Sequence, residues 1–105
     1  MLEAVTWTFL SSHGNAVVYI DEHPDARLRE IAAAIGLTER ATHTIVSELV
    51  DEGYLSRERM GRRNRYTVLP GKRLRHPALA HHTLEHLLRG MSRDLDAASG
   101  AQGAA

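Results

Sequence analysis

The sequence predicts a mainly α-helical domain with a small β-hairpin, an α+β fold, and three observations lead to it. Two segments carry apolar residues at helical spacing, and Gly36 separates them. A strand-like stretch, residues 54–69, follows directly. Its centre holds glycine and asparagine beside several arginines, which is typical of a tight basic turn. We therefore expect a three-helix core containing a helix-turn-helix, a basic hairpin called the wing (about 55–69), and a C-terminal helix.

The first predicted helix covers residues 15–22. Ser11 or Ser12 can cap it, because a serine hydroxyl accepts a hydrogen bond from an otherwise unpaired N–H. Pro24 marks its end, since proline disfavours helical backbone at the residue before it. The apolar face consists of Ala16, Val17 and Ile20.

The second predicted helix begins near Leu28, and Asp25 is the expected cap. Its apolar residues stand at i, i+3, i+4 and i+7, which places them on one face. They are Leu28, Ile31, Ala32 and Ile35. Gly36 ends the helix, because glycine adopts the left-handed conformation at little cost.

The third predicted helix, residues 39–52, starts after Thr38 as its N-cap and ends at Gly53. Its predicted buried face is Ala41, Ile45 and Leu49, with Thr42 and Val46 at the edge. The opposite face carries polar residues at the same helical spacing, here called the polar stripe. The polar stripe consists of Arg40, His43, Thr44 and Ser47. Such donors and acceptors suit base edges in a major groove, and free N–H groups at the helix start can hold a phosphate.

The wing is predicted from two strand-like runs. Tyr54 and Leu55 begin the first run, and residues 65–69 form the returning strand. The turn is expected over residues 61–64, since glycine and asparagine can adopt the positive φ that a tight turn requires. Five guanidinium groups crowd this element, and they suit phosphates or a minor groove. They belong to Arg57, Arg59, Arg62, Arg63 and Arg65.

Charge is distributed unevenly along a chain whose formal net charge is zero. Residues 1–52 carry three basic and nine acidic groups, whereas residues 57–75 carry eight basic groups and one acidic group. Affinity for nucleic acid depends on local cations that face phosphates, so a net charge of zero does not exclude it.

The order of helix, turn, helix, Gly-Tyr-Leu and basic hairpin resembles the winged helix-turn-helix regulators of the MarR and ArsR type. The similarity rests on GLTERATHTIVSELVDEGYL at 36–55 and RERMGRRNRYTVL at 57–69. It implies a sequence-specific regulator of transcription that binds double-stranded DNA, with helix 39–52 in the major groove and the wing on phosphates or the minor groove. It also implies a short strand over 26–28 beside the wing. The residues expected at DNA are Thr38, Glu39, Arg40, His43, Thr44, Ser47, Arg57, Arg59, Arg62, Arg63, Asn64 and Arg65.

A last helix is predicted over residues 78–91, with Pro77 in its first turn. The three helices and the hairpin already form a closed core, so an additional apolar stripe predicts a homodimer. The residues expected at the dimer interface are Leu79, Leu84, Leu87, Leu88 and Met91. Packing against the rest of the chain is the alternative for this helix.

The ends of the chain carry separate expectations. Near the N-terminus, Trp7 and Phe9 are expected to pack in the core, with a dimer contact as the alternative. One domain is predicted over residues 1–91. Residues 92–105 are small and polar, which predicts a flexible tail.

Histidines near the last helix raise a metal-binding alternative. His82 and His86 stand at i, i+4 on the predicted helix, and this spacing can chelate a divalent metal. In an ArsR-like dimer, such a pair from each subunit could complete a tetrahedral site, which would make the protein a metal-responsive sensor. The acidic and histidine pair that metal-sensing members carry at the start of that helix is absent, so the main interpretation has no metal and no cofactor.

Other classes of function receive less support from the sequence. There is no phosphate-binding glycine loop, nucleophile elbow or cysteine, so we expect no enzyme. No apolar run is long enough for a membrane span, and the N-terminus lacks a basic signal region, which predicts a cytoplasmic protein. A winged helix can also serve as a protein–protein interaction module or bind RNA, and these alternatives remain open. An unknown small-molecule effector is compatible with the sequence.

Overall fold

The computed structural model describes residues 6–91, which form two compact units, 6–68 and 69–91. The first unit contains helices α1 (Ser12–Glu22), α2 (Leu28–Ile35) and α3 (Glu39–Asp51), followed by strands β1 (Leu55–Met60) and β2 (Arg63–Val68). The second unit contains a 3₁₀ turn (Pro77–Leu79) and helix α4 (Leu84–Gly90). The predicted division into a 1–91 domain and a tail stays a prediction, and residues 92–105 lie outside the described residues.

Helix α1 begins earlier than predicted because Ser11 acts as its N-cap. The Ser11 hydroxyl accepts a hydrogen bond from the Gly14 N–H at 3.3 Å. The apolar face is buried as expected, and it contacts α2, α3 and β2. The buried residues of α1 are Ala16, Val17 and Ile20.

The entry into α2 differs from the sequence prediction. Asp25 does not cap this helix, since the N-cap is Arg27, whose backbone N–H donates to Glu30 Oε1 at 2.7 Å. The short strand expected over residues 26–28 is also wrong. The Ala26 N–H donates to the His23 carbonyl at 3.0 Å, so the backbone turns here, and the sheet pairs only β1 with β2.

The turn between α2 and α3 follows the sequence prediction. Gly36 adopts φ 78°, and its N–H donates to the Ala32 carbonyl at 2.9 Å. Thr38 then caps α3, with its hydroxyl accepting from the Ala41 N–H at 3.1 Å. Gly53 takes φ 87° beyond the end of α3, as the predicted helix end requires.

Helix α3 is rotated about its axis relative to the prediction. Its buried residues are Thr42, Val46 and Leu49, whereas Ala41 and Ile45 are only half-buried. Thr42 can be buried because its hydroxyl donates to the Thr38 carbonyl at 2.8 Å, which leaves its proton satisfied.

The hairpin turn is tighter than predicted, because the strands close on the pair Met60 and Arg63. Only Gly61 and Arg62 form the turn, and Gly61 has φ 65°. Asn64 lies in β2 opposite Arg59 and is not a turn residue. The hairpin adds buried residues to the core of this unit, namely Tyr54, Leu55 and Tyr66.

The predicted helix over 78–91 is broken into two pieces. The Leu74 N–H donates to the His82 carbonyl at 3.0 Å, and the Leu84 N–H donates to the Lys72 carbonyl at 2.8 Å. These bonds form a bridge between Arg73 and Thr83, whose backbone is extended, so α4 starts only at Leu84. Among residues 6–91, no helix combines the length and the apolar character that crossing a bilayer requires.

Two expectations about apolar side chains also change. Trp7 and Phe9 are 69% and 94% exposed and contact each other edge to face, with centroids 5.3 Å apart. Core packing is therefore wrong for this pair. In α4, Leu84 and Leu88 are buried within the single chain and Leu87 is half-buried.

Candidate nucleic-acid interface

The polar stripe lies on the solvent-facing side of α3. Arg40, His43 and Thr44 are exposed, and Ser47 is half-buried. Thr44 donates its hydroxyl proton to the Arg40 carbonyl at 3.3 Å. A ligand can therefore be contacted by the Thr44 hydroxyl oxygen, as an acceptor, and by its methyl group. The side chains of Arg40 and His43 make no hydrogen bond or ion pair with any residue in 6–91. Their donors are therefore available without breaking a contact to any residue in this described range.

The start of α3 provides the other predicted contacts on this helix. Thr38 is exposed, and its hydroxyl is already used as the acceptor for the Ala41 N–H. Glu39 is exposed in the first turn, where a carboxylate stabilises the positive end of the helix dipole. A carboxylate at this position repels phosphate, so Glu39 suits a base amino group better than the DNA backbone.

One contact joins the polar stripe to the wing. Arg57 Nη1 donates to Ser47 Oγ at 3.4 Å, between strand β1 and helix α3. The two elements are also in direct contact at the base of the hairpin, where Leu55 is buried. The stripe and the cationic hairpin therefore form one continuous surface, here called the basic face.

The five wing arginines are not equivalent. Arg59 donates from Nε to the Gly61 carbonyl at 2.7 Å, which folds its side chain over the turn. Arg62 is exposed at the turn itself and makes no hydrogen bond or ion pair within residues 6–91. Arg57 is held against α3 by Ser47. Of these three, Arg62 is the one whose guanidinium projects without a partner.

The remaining two arginines share a partner that the sequence did not indicate. Arg63 donates from Nη2 to the backbone carbonyl of Asp25, and Arg65 Nη2 lies 3.7 Å from the Asp25 carboxylate. Both arginines lie in β2 and, being two residues apart, point to the same face of the hairpin. Asp25 therefore links the loop between α1 and α2 to the wing, where the resemblance implied a strand.

A second unpredicted contact lies beside the polar stripe. His13 Nε2 of α1 lies 2.7 Å from Glu48 Oε1 of α3. Both side chains are about half-exposed, so this pair is screened by solvent and contributes little to stability. It does hold a carboxylate next to Ser47, which gives the basic face an acidic border. No spacing rule relates residues 13 and 48, so sequence reasoning had no signal for it.

The histidines of the second unit do not form a chelating helix pair. His82 precedes α4, so the predicted i, i+4 placement on one helix face is wrong, although the His82 and His86 rings remain 5.6 Å apart. His86 Nδ1 accepts from the Thr83 N–H at 3.3 Å, which leaves only Nε2 for a ligand. Within residues 6–91, no group of three or more potential metal ligands lies close together. A shared site between two chains stays a prediction.

Comparison with known proteins agrees with this architecture. Residues 19–59 match the family model of the IclR helix-turn-helix domain, which is less than half of the chain. Among solved structures, the chain is similar to MepR, a transcription regulator of the Staphylococcus aureus multidrug efflux pump MepA, with a TM-score of 0.55 and 14% sequence identity. The match covers 88% of this chain and 64% of that chain. A comparison with curated protein sequences gives no significant match.

These similarities confirm the predicted winged helix-turn-helix fold. The family model that matches is that of the IclR helix-turn-helix domain, whereas the sequence predicted the MarR or ArsR type. The MarR or ArsR assignment therefore stays a prediction.

Proposed function

We propose that this protein is a sequence-specific regulator of transcription that binds double-stranded DNA through the basic face. Helix α3 enters the major groove with the polar stripe toward the base edges. The wing lies on the flanking phosphates or in the adjacent minor groove. The twelve residues expected at DNA from the sequence remain the candidate contacts in this proposal, with Arg40 as the guanine contact and Arg62 as the leading phosphate contact.

The observation that carries the proposal is the contact between Arg57 and Ser47. It shows that the polar stripe and the basic hairpin are adjacent, so one DNA duplex can meet both. A recognition helix without cations beside it would have little affinity, because phosphate neutralisation supplies most of the binding free energy. A basic hairpin without a polar helix stripe would bind without reading sequence. The basic face combines the two.

The test is fluorescence anisotropy of a labelled 20-base-pair duplex of random sequence, titrated with protein at several salt concentrations. We expect log K to fall linearly with log salt concentration, and we expect Arg62→Ala to reduce the slope by about 0.9, the contribution of one phosphate contact. Arg89→Ala is the matched control. It removes the same charge, but Arg89 belongs to α4 of the second unit, where it pairs with Glu85, and it is not one of the residues of the basic face. Its slope should equal that of the wild type.

Two results would contradict the proposal. Equal loss of slope in both variants would mean that only net charge matters. Failure of the folded wild-type protein to bind at low salt would favour the protein–protein interaction module, for which the exposed Trp7 and Phe9 pair is the natural contact. Competition with duplex RNA in the same assay separates the RNA-binding alternative.

We further propose that the protein acts as a homodimer on a pseudo-palindromic site. The support is the apolar surface left on the single chain, since Leu79 and Met91 are exposed and Leu87 is half-buried. Leu84 and Leu88 contribute less than the sequence suggested, because the chain itself covers them. We expect such a dimer to act in the cytoplasm.

Light scattering coupled to size exclusion tests the dimer. We expect twice the chain mass of 11.7 kDa, and we expect Met91→Glu to shift the protein toward the monomer mass. Leu69→Glu is the matched control, because Leu69 and Met91 are equally exposed at 39%. A monomeric wild type at 0.1 mM would refute this part of the proposal and leave DNA binding untouched.

A further inference from the structure

The wing carries five arginines, but the structure does not leave them all available for DNA. Arg65 is paired with the Asp25 carboxylate at 3.7 Å, and Arg63 is bonded to the carbonyl of the same residue. Asp25 lies in the loop between α1 and α2, close to forty residues earlier in the chain. A carboxylate offers Arg65 the same kind of oxygen ligand that a DNA phosphate would offer. Asp25 and DNA are therefore competitors for one guanidinium group.

We propose that Asp25 attenuates DNA binding by competing with phosphate for Arg65. By holding Arg65, it removes one phosphate contact from the binding of DNA of any sequence. Contacts to base edges from the polar stripe are unaffected, because Asp25 touches no residue of that stripe among the residues that the structure describes. Affinity for every duplex is therefore lower, whereas the ratio between specific and non-specific affinity is unchanged. This inference rests on the proposed function of the basic face.

The exposure of the pair determines how strongly it competes. The side chains of Arg65 and Asp25 are 46% and 79% exposed, so water and salt weaken their attraction, and the pair contributes little to folding stability. The backbone carbonyl of Asp25 accepts a hydrogen bond from Arg63, which keeps this residue near the wing when the ion pair opens. A carboxylate near Arg65 offsets the charge that Arg65 brings to a phosphate.

Asp25→Asn is the informative substitution. It removes the charge but keeps the shape of the side chain and the backbone carbonyl that Arg63 uses. We expect the salt slope for random-sequence duplex to steepen by about 0.9, which corresponds to an affinity gain of about eightfold at 0.1 M salt. Discrimination between a selected duplex and random duplex should stay the same, because both duplexes gain the same phosphate contact.

Two further variants separate this mechanism from a general charge effect. In the double variant Asp25→Asn/Arg65→Ala, the steepening should disappear, because no guanidinium group is freed. Glu58 is unsuitable as a control, because it lies directly opposite Arg65 in the hairpin and its charge acts on the same group. Asp51→Asn is the matched control, since Asp51 is an exposed carboxylate at the end of α3 and makes no hydrogen bond or ion pair with a wing arginine among residues 6–91. Its slope should remain that of the wild type.

The outcomes distinguish this inference from the proposed function. A steeper slope in Asp25→Asn that requires Arg65 and is absent from Asp51→Asn supports the inference. An unchanged slope in Asp25→Asn, a gain that persists without Arg65, or an equal gain in Asp51→Asn overturns it while DNA binding stands. Loss of DNA binding by the wild type overturns the proposed function and this inference together. Thermal unfolding of each variant shows that the fold is retained.

Discussion

Replacing Arg40 with alanine tests the polar stripe at its most informative position. Arg40 is the stripe residue that can donate two parallel hydrogen bonds, which is the geometry that guanine accepts at O6 and N7. Its side chain has no hydrogen bond or ion pair within residues 6–91, and it is exposed near the start of α3. The substitution should therefore leave folding stability unchanged to within about 0.5 kcal/mol, the usual range for surface positions.

The expected loss appears in DNA binding. A bidentate contact between arginine and guanine supplies about 1–3 kcal/mol of discrimination, which is about 5- to 160-fold in affinity for the preferred base. Since the guanidinium group breaks no internal contact when it binds, the structure gives no reason for the loss to fall below this range. Affinity for random-sequence duplex should drop less, by the equivalent of one weak phosphate contact at most.

The assay begins with selection of a preferred duplex from a random library by the wild-type protein. Dissociation constants are then measured for that duplex and for versions with each base pair replaced in turn. Arg40→Ala should lose preference at one base pair of each half-site and keep it elsewhere, whereas Arg62→Ala should weaken all duplexes about equally. If Arg40→Ala also weakens all duplexes equally, Arg40 is a phosphate contact and the orientation of the polar stripe is wrong.

Three further predictions concern the elements that hold the basic face. Gly36→Ala should lower the free energy of unfolding by about 1 kcal/mol, because φ 78° is strained for alanine, whereas Gly71→Ala, with open space at the Cβ position, should be neutral in the same urea titration. Thr38→Ala removes the cap of α3 and should cost about 1 kcal/mol, which Thr38→Ser should restore. Burial, and then the neighbouring Glu22, raise the pKa of Asp21, so the native state disfavours its charged form. Asp21→Asn should therefore raise the melting temperature at pH 7. At pH 3 the Asp21 carboxyl is protonated in the unfolded state as well as in the native state, so the gain should disappear. A larger gain at pH 3 would contradict the raised pKa of Asp21 in the native state.

The local part of the fold could be predicted because its determinants are close together in sequence. Gly36 and Thr38 specify the turn between α2 and α3 by backbone conformation and by a hydroxyl cap, and both act within a few residues. The hairpin could be predicted for the same reason, although its turn is shorter because Met60 and Arg63 still pair. Such signals depend on neighbours along the chain, which a single sequence displays.

The last helix shows where this reasoning stops. Residues 78–91 have continuous helical periodicity, with proline well placed at the start. The break at Thr83 comes from hydrogen bonds between residues 82–84 and 72–74, which satisfy backbone groups that a helix would otherwise use. Periodicity records which side chains are apolar, but it does not record which backbone groups find a partner about ten residues away. A helix prediction from periodicity alone is therefore unreliable next to a segment that can form a bridge.

The rotation of α3 has the most direct consequence for function. Ala41, Ile45 and Leu49 are a more apolar face than Thr42, Val46 and Leu49, so hydrophobicity alone selects the wrong face. The face containing Thr42 is buried because Thr42 donates its proton to Thr38 and then costs little to bury. The side of α3 opposite that face carries Arg40, Thr44 and Ser47, and His43 is moved toward its edge. Arg40 and Thr44 should therefore determine more of the sequence preference than His43, and His43→Ala should weaken binding less than Arg40→Ala.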